Sequence, residues 1–218
     1  MELFSIQPLW IYEHLQKGQT FRASPALCSA DSDEFDESWA RAYGWLTREM
    51  DKRCSVPRPS GVTYPIWAWH AWAGPQMRKP DLRFESTRHY AQGGPCVLMT
   101  LDVPDGEVLL SEFHAWHHVL NSWYLAPGAE ADEFEARCEQ KGLNPYKDKP
   151  LPDTALQAEM ETSWGRIFDL DSIPALLEYD KNDSYVQATF WELRPEFARE
   201  AIWFEQKGRS RRLALPAC

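Results

Sequence analysis

Residues 3–15 read LFSIQPLWIYEHL, and this stretch joins a short strand directly to a helix. The segment from Leu3 to Gln7 is predicted to be extended. Pro8 suits the start of a helix, because its fixed φ matches the first helical position and its missing N–H needs no partner there. Apolar residues then recur at helical spacing as far as Leu15. A strand followed at once by a helix is therefore expected at the start of the fold.

The remaining chain mixes helices and strands without a regular strand–helix–strand alternation, which indicates the α+β class. We expect one mixed, mostly antiparallel sheet flanked by helices. A single domain is predicted over 1–205, and the basic C-terminal segment 206–218 is expected to be a flexible tail. Helices are predicted from Asp33 to Arg53, after a cap at Ser111, and near 129–141 and 153–168. Later strands are predicted at 64–72, 96–101, 108–110, 185–193 and 201–205.

Composition excludes several classes of protein. The 218 residues carry a formal net charge of −10, which disfavours general binding to nucleic acids or anionic membranes and favours a cationic small molecule. No apolar run approaches the ~20 residues of a membrane span, and no signal peptide is evident. Five cysteines without a C-x-x-C motif are typical of reduced thiols, so a cytoplasmic protein is expected.

Tryptophan is unusually frequent, with 11 residues. Trp67 and Trp69 project from the same side of a predicted strand, so they can form a stacking wall for a flat ligand ring. Packing of the same two side chains in the core is the alternative.

Two further segments carry polar candidates. Arg83 can bind a phosphate or carboxylate through two parallel hydrogen bonds, with Asp81 orienting it, although a structural Asp–Arg pair would look the same. On the late strand, Gln187 and Thr189 share a face, and polar groups in a central strand need partners. An edge strand with one solvated face is the alternative there.

Three histidines lie close together on a predicted helix. His114 is three and four residues before His117 and His118, so two imidazoles can share a face and bind a metal. Asn121 continues that face. A third protein ligand at a suitable offset is lacking, so the metal-dependent enzyme is kept as an alternative and no metal site is assigned.

Several motifs taken together resemble a bacterial family known as domain of unknown function 3841. They are F-S-I-Q, Y-P-I-W-A-W, K-P-D-L-R, V-L-L-S-E-F-x-x-W-H-x-V-L-N, S-W-x-R-I-F-D-L and Q-A-T-F-W-E-L. The resemblance extends roughly from Leu3 to Phe204. The family label implies no activity.

The first strand and helix also resemble the opening of ADP-ribosyltransferase folds, in which first-strand residues hold the nicotinamide side of NAD. That resemblance places Ser5 and Gln7 on the NAD-holding strand. The strand containing Q-A-T-F is similar to a Q-A-E-F strand with a catalytic glutamate, which places Thr189 at the catalytic position. The usual first-strand His or Arg is absent, and threonine cannot stabilise an oxocarbenium-like centre as glutamate does. Either Glu192 or Asp81 takes that role, or only the fold is shared.

The resemblance and the charge together predict an NAD-dependent transferase acting on a small cationic acceptor, such as an amino-sugar antibiotic, in a resistance-type activity. Its expected catalytic residues are Glu192, Thr189 and Gln187. Its expected NAD-binding residues are Gln7, Ser5, Arg83, Trp67 and Trp69, and its expected acceptor-binding residues are Asp81, His117 and Asn121. The alternative from another class is a non-catalytic module whose aromatic pocket binds a ligand or partner.

Overall fold

The predicted first strand and helix are present as β1 and α1. A computed structural model describes residues 1–24 and 37–216 of the chain. Within these ranges the strands are β1 (Glu2–Pro8), β2 (Ile66–Ala71), β3 (Cys96–Asp102), β4 (Leu109–Glu112), β5 (Val186–Phe190), β6 (Ala198–Phe204) and β7 (Ser210–Arg212).

These strands form one antiparallel sheet in the order β4-β5-β2-β1-β3-β6-β7. Seven consecutive register positions join β1 to β3, from Glu2 opposite Asp102 to Pro8 opposite Cys96. The helices in the described ranges are α1 (Leu9–Gln16), α2 (Glu37–Arg53), α3 (Glu85–Arg88), α4 (Phe113–Leu120), α5 (Gly128–Gln140), α6 (Thr154–Ser163) and α7 (Ile173–Leu176). The α+β prediction is confirmed.

The two faces of the sheet bury different clusters. We call the face that carries Leu3 and Ala188 the back face, and it packs against Ile11 and Leu15 of α1. The opposite, front face carries Phe4, Ile6, Trp67, Trp69 and Gln187, because cross-strand partners in an antiparallel sheet point to the same side.

Two separate clusters cover the front face. The larger one packs α2, α4, α5 and α6 over the β4–β5 end, with Trp45, Trp116 and Trp164 in its interior. The smaller one lies over β1, β3 and β6 and includes Phe4 and Trp69. The front face is therefore covered in two parts, and a boundary between them runs across β1 and β2.

Helix ends follow local hydrogen-bonding chemistry. The predicted cap of the later helix is present, since Asp153 accepts the N–H groups of Ala155 and Leu156 at 3.0 Å. The predicted cap at Ser111 is wrong. Ser111 lies inside β4, and the side chain of Glu112 caps α4 by accepting the Ala115 N–H at 2.7 Å.

The C-terminal segment, which the sequence predicts to be a flexible tail, contains a short strand. Ser210 to Arg212 pair with β6 as the edge strand β7, because the β6 backbone offers a free edge there. The Leu213 N–H donates to the Ala201 carbonyl at 2.9 Å, and Tyr12 and Gln16 both donate to the Ala214 carbonyl. The segment is thus attached to the N-terminal helix.

One predicted helix start lies outside the described residues. Asp33 falls within 25–36, so the start of that helix is not described.

Within the described ranges, none of the helices combines the length and the apolar character needed to cross a bilayer.

Candidate functional site

The sheet is weakly joined between β1 and β2. These strands pair at a single register position, Phe4 opposite Trp69. Beyond it, a side chain of β1 connects the two strands. The Ser5 hydroxyl donates to the Trp67 carbonyl at 3.0 Å, and the Gln7 amide donates to the Ser5 hydroxyl at 2.8 Å. Ser5 therefore joins β1 to β2 where the ladder stops, and Gln7 holds the Ser5 hydroxyl from the same strand.

A cavity of about 170 Å³ lies at this separation. Known pockets for drug-sized ligands occupy roughly 300–1,000 Å³, so this cavity has room for a single ring. Its walls come from three strands and from the turn after α3, and they consist of Ile6, Gln7, Trp67, Ala68, Trp69, Tyr90 and Gln187. The cavity thus brings together four of the predicted site residues: Gln7, Trp67, Trp69 and Gln187.

The two tryptophans belong both to the core and to the cavity. Trp67 packs against Trp116 with ring centroids 5.3 Å apart, and Trp69 packs edge-on against Trp72 at 4.8 Å. A hydrogen bond links the side chains of Trp69 and Tyr90, although burial still raises the pKa of the Tyr90 hydroxyl. The stacking-wall and core-packing interpretations of Trp67 and Trp69 are therefore compatible.

Three neighbouring strands carry buried polar atoms that have no hydrogen-bond partner among the described residues. They include Nε1 of Trp67 on β2, Oε1 of Gln187 on β5 and Oγ of Ser111 on β4. Ser111 lies directly opposite Gln187 in the β4–β5 ladder. Unsatisfied buried polar groups are few in folded proteins, so such a group on each of three adjacent strands needs an explanation.

The predicted catalytic residues do not form one group. Thr189 is fully buried, and its hydroxyl donates to the Leu109 carbonyl at 3.3 Å. Glu192 lies beyond the end of β5 and forms an ion pair with Arg22 at 2.5 Å. Among the described residues, only Gln187 of this trio lines the cavity, and no carboxylate does.

Asp81 and Arg83 form a pair on an exposed loop. The Arg83 guanidinium donates to the Asp81 carboxylate at 2.6 and 2.8 Å, and these bonds hold the pKa of Asp81 below its usual range. The Arg83 side chain is 87% exposed. Asp81 lines a separate groove of about 340 Å³ beside Lys79 and Leu98. The structure thus places the Asp–Arg pair outside the walls of the β1–β2 cavity.

The histidines of α4 have different neighbours. His117 is exposed, and its Nδ1 contacts the Phe113 carbonyl at 2.8 Å, while the Asn121 amide donates to the His117 carbonyl at 2.7 Å. His114 packs edge-on against Tyr179 and Tyr185. Within residues 1–24 and 37–216, no three His, Cys, Asp or Glu side chains are grouped so that they could hold a metal ion. These ranges therefore contain no set of metal ligands that would support the metal-dependent enzyme.

Two residues of interest were missed by sequence reasoning. Tyr90 lines the cavity from a single 3-10 turn (His89–Ala91), which is too short to show any periodicity. Glu112 is fully buried, and its Oε1 has no hydrogen-bond partner. Burial and the nearby Glu112 carboxylate both raise the pKa of Tyr179. Glutamate is not among the residues favoured at helix N-caps, so the sequence favoured Ser111 over Glu112 as the cap.

Comparison with known proteins places the chain in a family without assigning an activity. No curated protein and no solved structure matches the chain. One family model matches residues 2–198, which is nearly the full length and includes all strands that line the cavity. The chain belongs to the family described as domain of unknown function (DUF3841).

Proposed function

We propose that this protein binds a small planar ligand in the cavity between β1 and β2. The observation that carries the proposal is that two of the cavity-lining residues, Trp67 and Gln187, each have a buried polar atom without a partner. One is an N–H donor and the other is a carbonyl acceptor. A ligand that reached both atoms would offer an acceptor to the first and a donor to the second.

The cavity narrows the choice of ligand. Its volume admits one ring, and the indoles of Trp67 and Trp69 favour an aromatic one. A ring bearing a carboxamide has a carbonyl acceptor and an NH2 group with two N–H donors, which suit the indole N–H and the Gln187 carbonyl. Nicotinamide has this chemistry, and the nicotinamide end of NAD is the first candidate.

Calorimetry tests binding directly, with nicotinamide, adenine and NAD as separate titrants. We expect nicotinamide and NAD to bind saturably. Trp67→Phe removes the indole N–H and Gln187→Leu removes the amide, so each is expected to weaken binding about threefold to tenfold. Trp10→Phe is the matched control, because Trp10 lies on α1 and is 47% exposed. The proposal fails if no titrant binds at millimolar concentration, or if both variants bind like the unchanged protein.

Transfer of ADP-ribose is a second candidate function. It is favoured by the position of Ser5 and Gln7 beside the separation of β1 and β2, near Gln187 of the later strand. In that reaction an acceptor amine would bond to the ribose carbon as the bond to nicotinamide breaks. Glu192 is the proposed carboxylate, and it would have to exchange its ion pair with Arg22 for a place near the reacting centre.

Release of nicotinamide from NAD in the presence of an amino-sugar distinguishes transfer from binding alone. For a transferase, Glu192→Gln is expected to abolish release and to leave the affinity for NAD nearly unchanged. Saturable NAD binding without any release would instead support the non-catalytic module.

A further inference from the structure

A second cavity, of about 180 Å³, lies between the end of α4 and the helix α5. It belongs to the helical layer, and none of its walls is shared with the β1–β2 cavity. The residues that line it include His118, Trp123, Tyr124, Phe134, Glu135 and Tyr146. Most of these six side chains are aromatic.

The rings stand at steep angles to one another. The Trp123 ring is inclined by 69° to that of Tyr146 and by 82° to that of His118, with centroids 6.4 and 5.8 Å apart. Tyr124 stacks flat on the buried Phe134 at 4.0 Å. Aromatic faces that surround a space from several directions attract a cation through their quadrupoles.

Negative charge is concentrated at the same place. Glu135 accepts the Tyr146 hydroxyl and, within the described residues, forms no ion pair. This hydrogen bond, burial and the nearby Asp132 raise the pKa of Tyr146 to about 12. By contrast, Glu159, which accepts a hydrogen bond from the Tyr124 hydroxyl, forms an ion pair with Arg137. Glu135 therefore remains as a carboxylate without an ion pair among the described residues.

The chain itself already places a cation beside the cavity. The Lys149 ammonium lies 5.7 Å from the centroid of the Trp123 ring. Burial lowers the pKa of His118, so its imidazole is neutral at pH 7 and adds no positive charge to the wall. The surroundings of Trp123 therefore favour a positive group.

We propose that this aromatic cavity binds a small organic cation of the alkylammonium class, with Trp123, Tyr124 and Tyr146 around the ammonium group and Glu135 as its counterion. The site is independent of the function proposed for the β1–β2 cavity. It agrees with the cationic ligand that the net charge of −10 favours.

Choline and 3,3-dimethyl-1-butanol form a matched pair of probes, because they share one shape and differ in the charge of the central atom. We expect choline to shift indole N–H resonances in a saturable way and the neutral alcohol to bind at least about fivefold more weakly. Equal binding of the two probes would overturn the proposal, and so would the absence of any shift up to about 100 mM choline.

Three variants locate the site. Glu135→Gln is expected to weaken choline binding about threefold to tenfold, whereas Glu133→Gln, an exposed change of the same charge on the same helix, should leave it unchanged. Lys149→Met is expected to tighten binding, because it removes a competing cation from Trp123. Equal losses in the two glutamate variants would show that only the overall charge matters and would refute the site. Titrations of nicotinamide should be unaffected by all three changes, so a failure here is distinguishable from a failure of the β1–β2 cavity.

Discussion

Glu112 is a fully buried carboxylate for which the described residues supply no ion pair. One oxygen caps α4, and the other lacks a hydrogen bond of good geometry among the described residues, although the Tyr179 hydroxyl lies nearby. Burying a charge is costly unless it is paired and hydrogen-bonded. The cap is therefore the identified stabilising role of this side chain.

Two substitutions at this position separate the cap from the charge. Glu112→Gln keeps an oxygen that can accept the Ala115 N–H and removes the charge, so its free energy of unfolding at pH 7 should equal or exceed that of the unchanged protein. Glu112→Ala loses the cap, which costs about 1–2 kcal/mol. Urea unfolding measures both. If Glu112→Gln lowered the free energy of unfolding as much as Glu112→Ala does, this expectation would be wrong and the fold would require the buried charge.

The partly buried ion pair of Glu200 with Lys79 makes a pH-dependent contribution to the free energy of unfolding. Its hydrogen bond to Lys79 holds the pKa of Glu200 below its ordinary value of 4.5, against the effect of burial. A carboxylate with a lowered pKa in the folded state stabilises the protein above pH 4.5, and this contribution is lost as the pH falls through the folded-state pKa. We expect Glu200→Gln to lower the urea midpoint at pH 7 and to flatten its fall below pH 4.5. Glu133→Gln is the control, and an identical pH profile for both variants would contradict the assignment.

At the scale of elements, two loops interlock beside the end of β2. The Gly74 N–H donates to the Ser184 carbonyl at 2.7 Å, and a Cβ added at Gly74 would lie 1.8 Å from the Asn182 carbonyl oxygen. Gly74 also has a positive φ of 70°. Only glycine fits this contact, because both the backbone conformation and the neighbouring carbonyl exclude a side chain.

Gly18 provides the matched control for this contact. Its φ of 72° is nearly the same, but an added Cβ would meet nothing within 4 Å. Gly18→Ala should therefore cost only the conformational penalty of about 1–2 kcal/mol. Gly74→Ala adds a backbone clash and should cost at least about 2 kcal/mol more. Urea unfolding compares the two variants, and equal losses would show that the loops are not interlocked.

At the scale of the whole molecule, local chemistry made most elements predictable. Strong periodicity located α1 and β3, and the Asp153 cap fixed the start of α6. Relations between distant segments could not be predicted from the sequence. The single-position pairing of β1 with β2, which opens the cavity, depends on packing of residues more than 60 positions apart. Trp67 and Gln187 were predicted as site residues from the sequence and both line the cavity between β1 and β2, whereas the partner of Glu192 became visible only in three dimensions.

The C-terminal segment shows the same limit, because its basic composition gives no sign that Ser210 to Arg212 pair with β6. Beyond β7, the Ala214 carbonyl accepts hydrogen bonds from Tyr12 and Gln16 of α1, so the two ends of the chain are joined. A chain that stops at residue 209 loses these bonds and exposes the edge of β6, and it should therefore unfold at a lower urea concentration. Lys207→Ser with Arg209→Ser is the control, since it removes positive charge and keeps the strand. A flexible tail would give equal urea midpoints for the truncated and the full chain, whereas a larger loss on truncation than in the control would show that the residues after 209, with β7 and the Arg212–Glu200 ion pair, stabilise the fold.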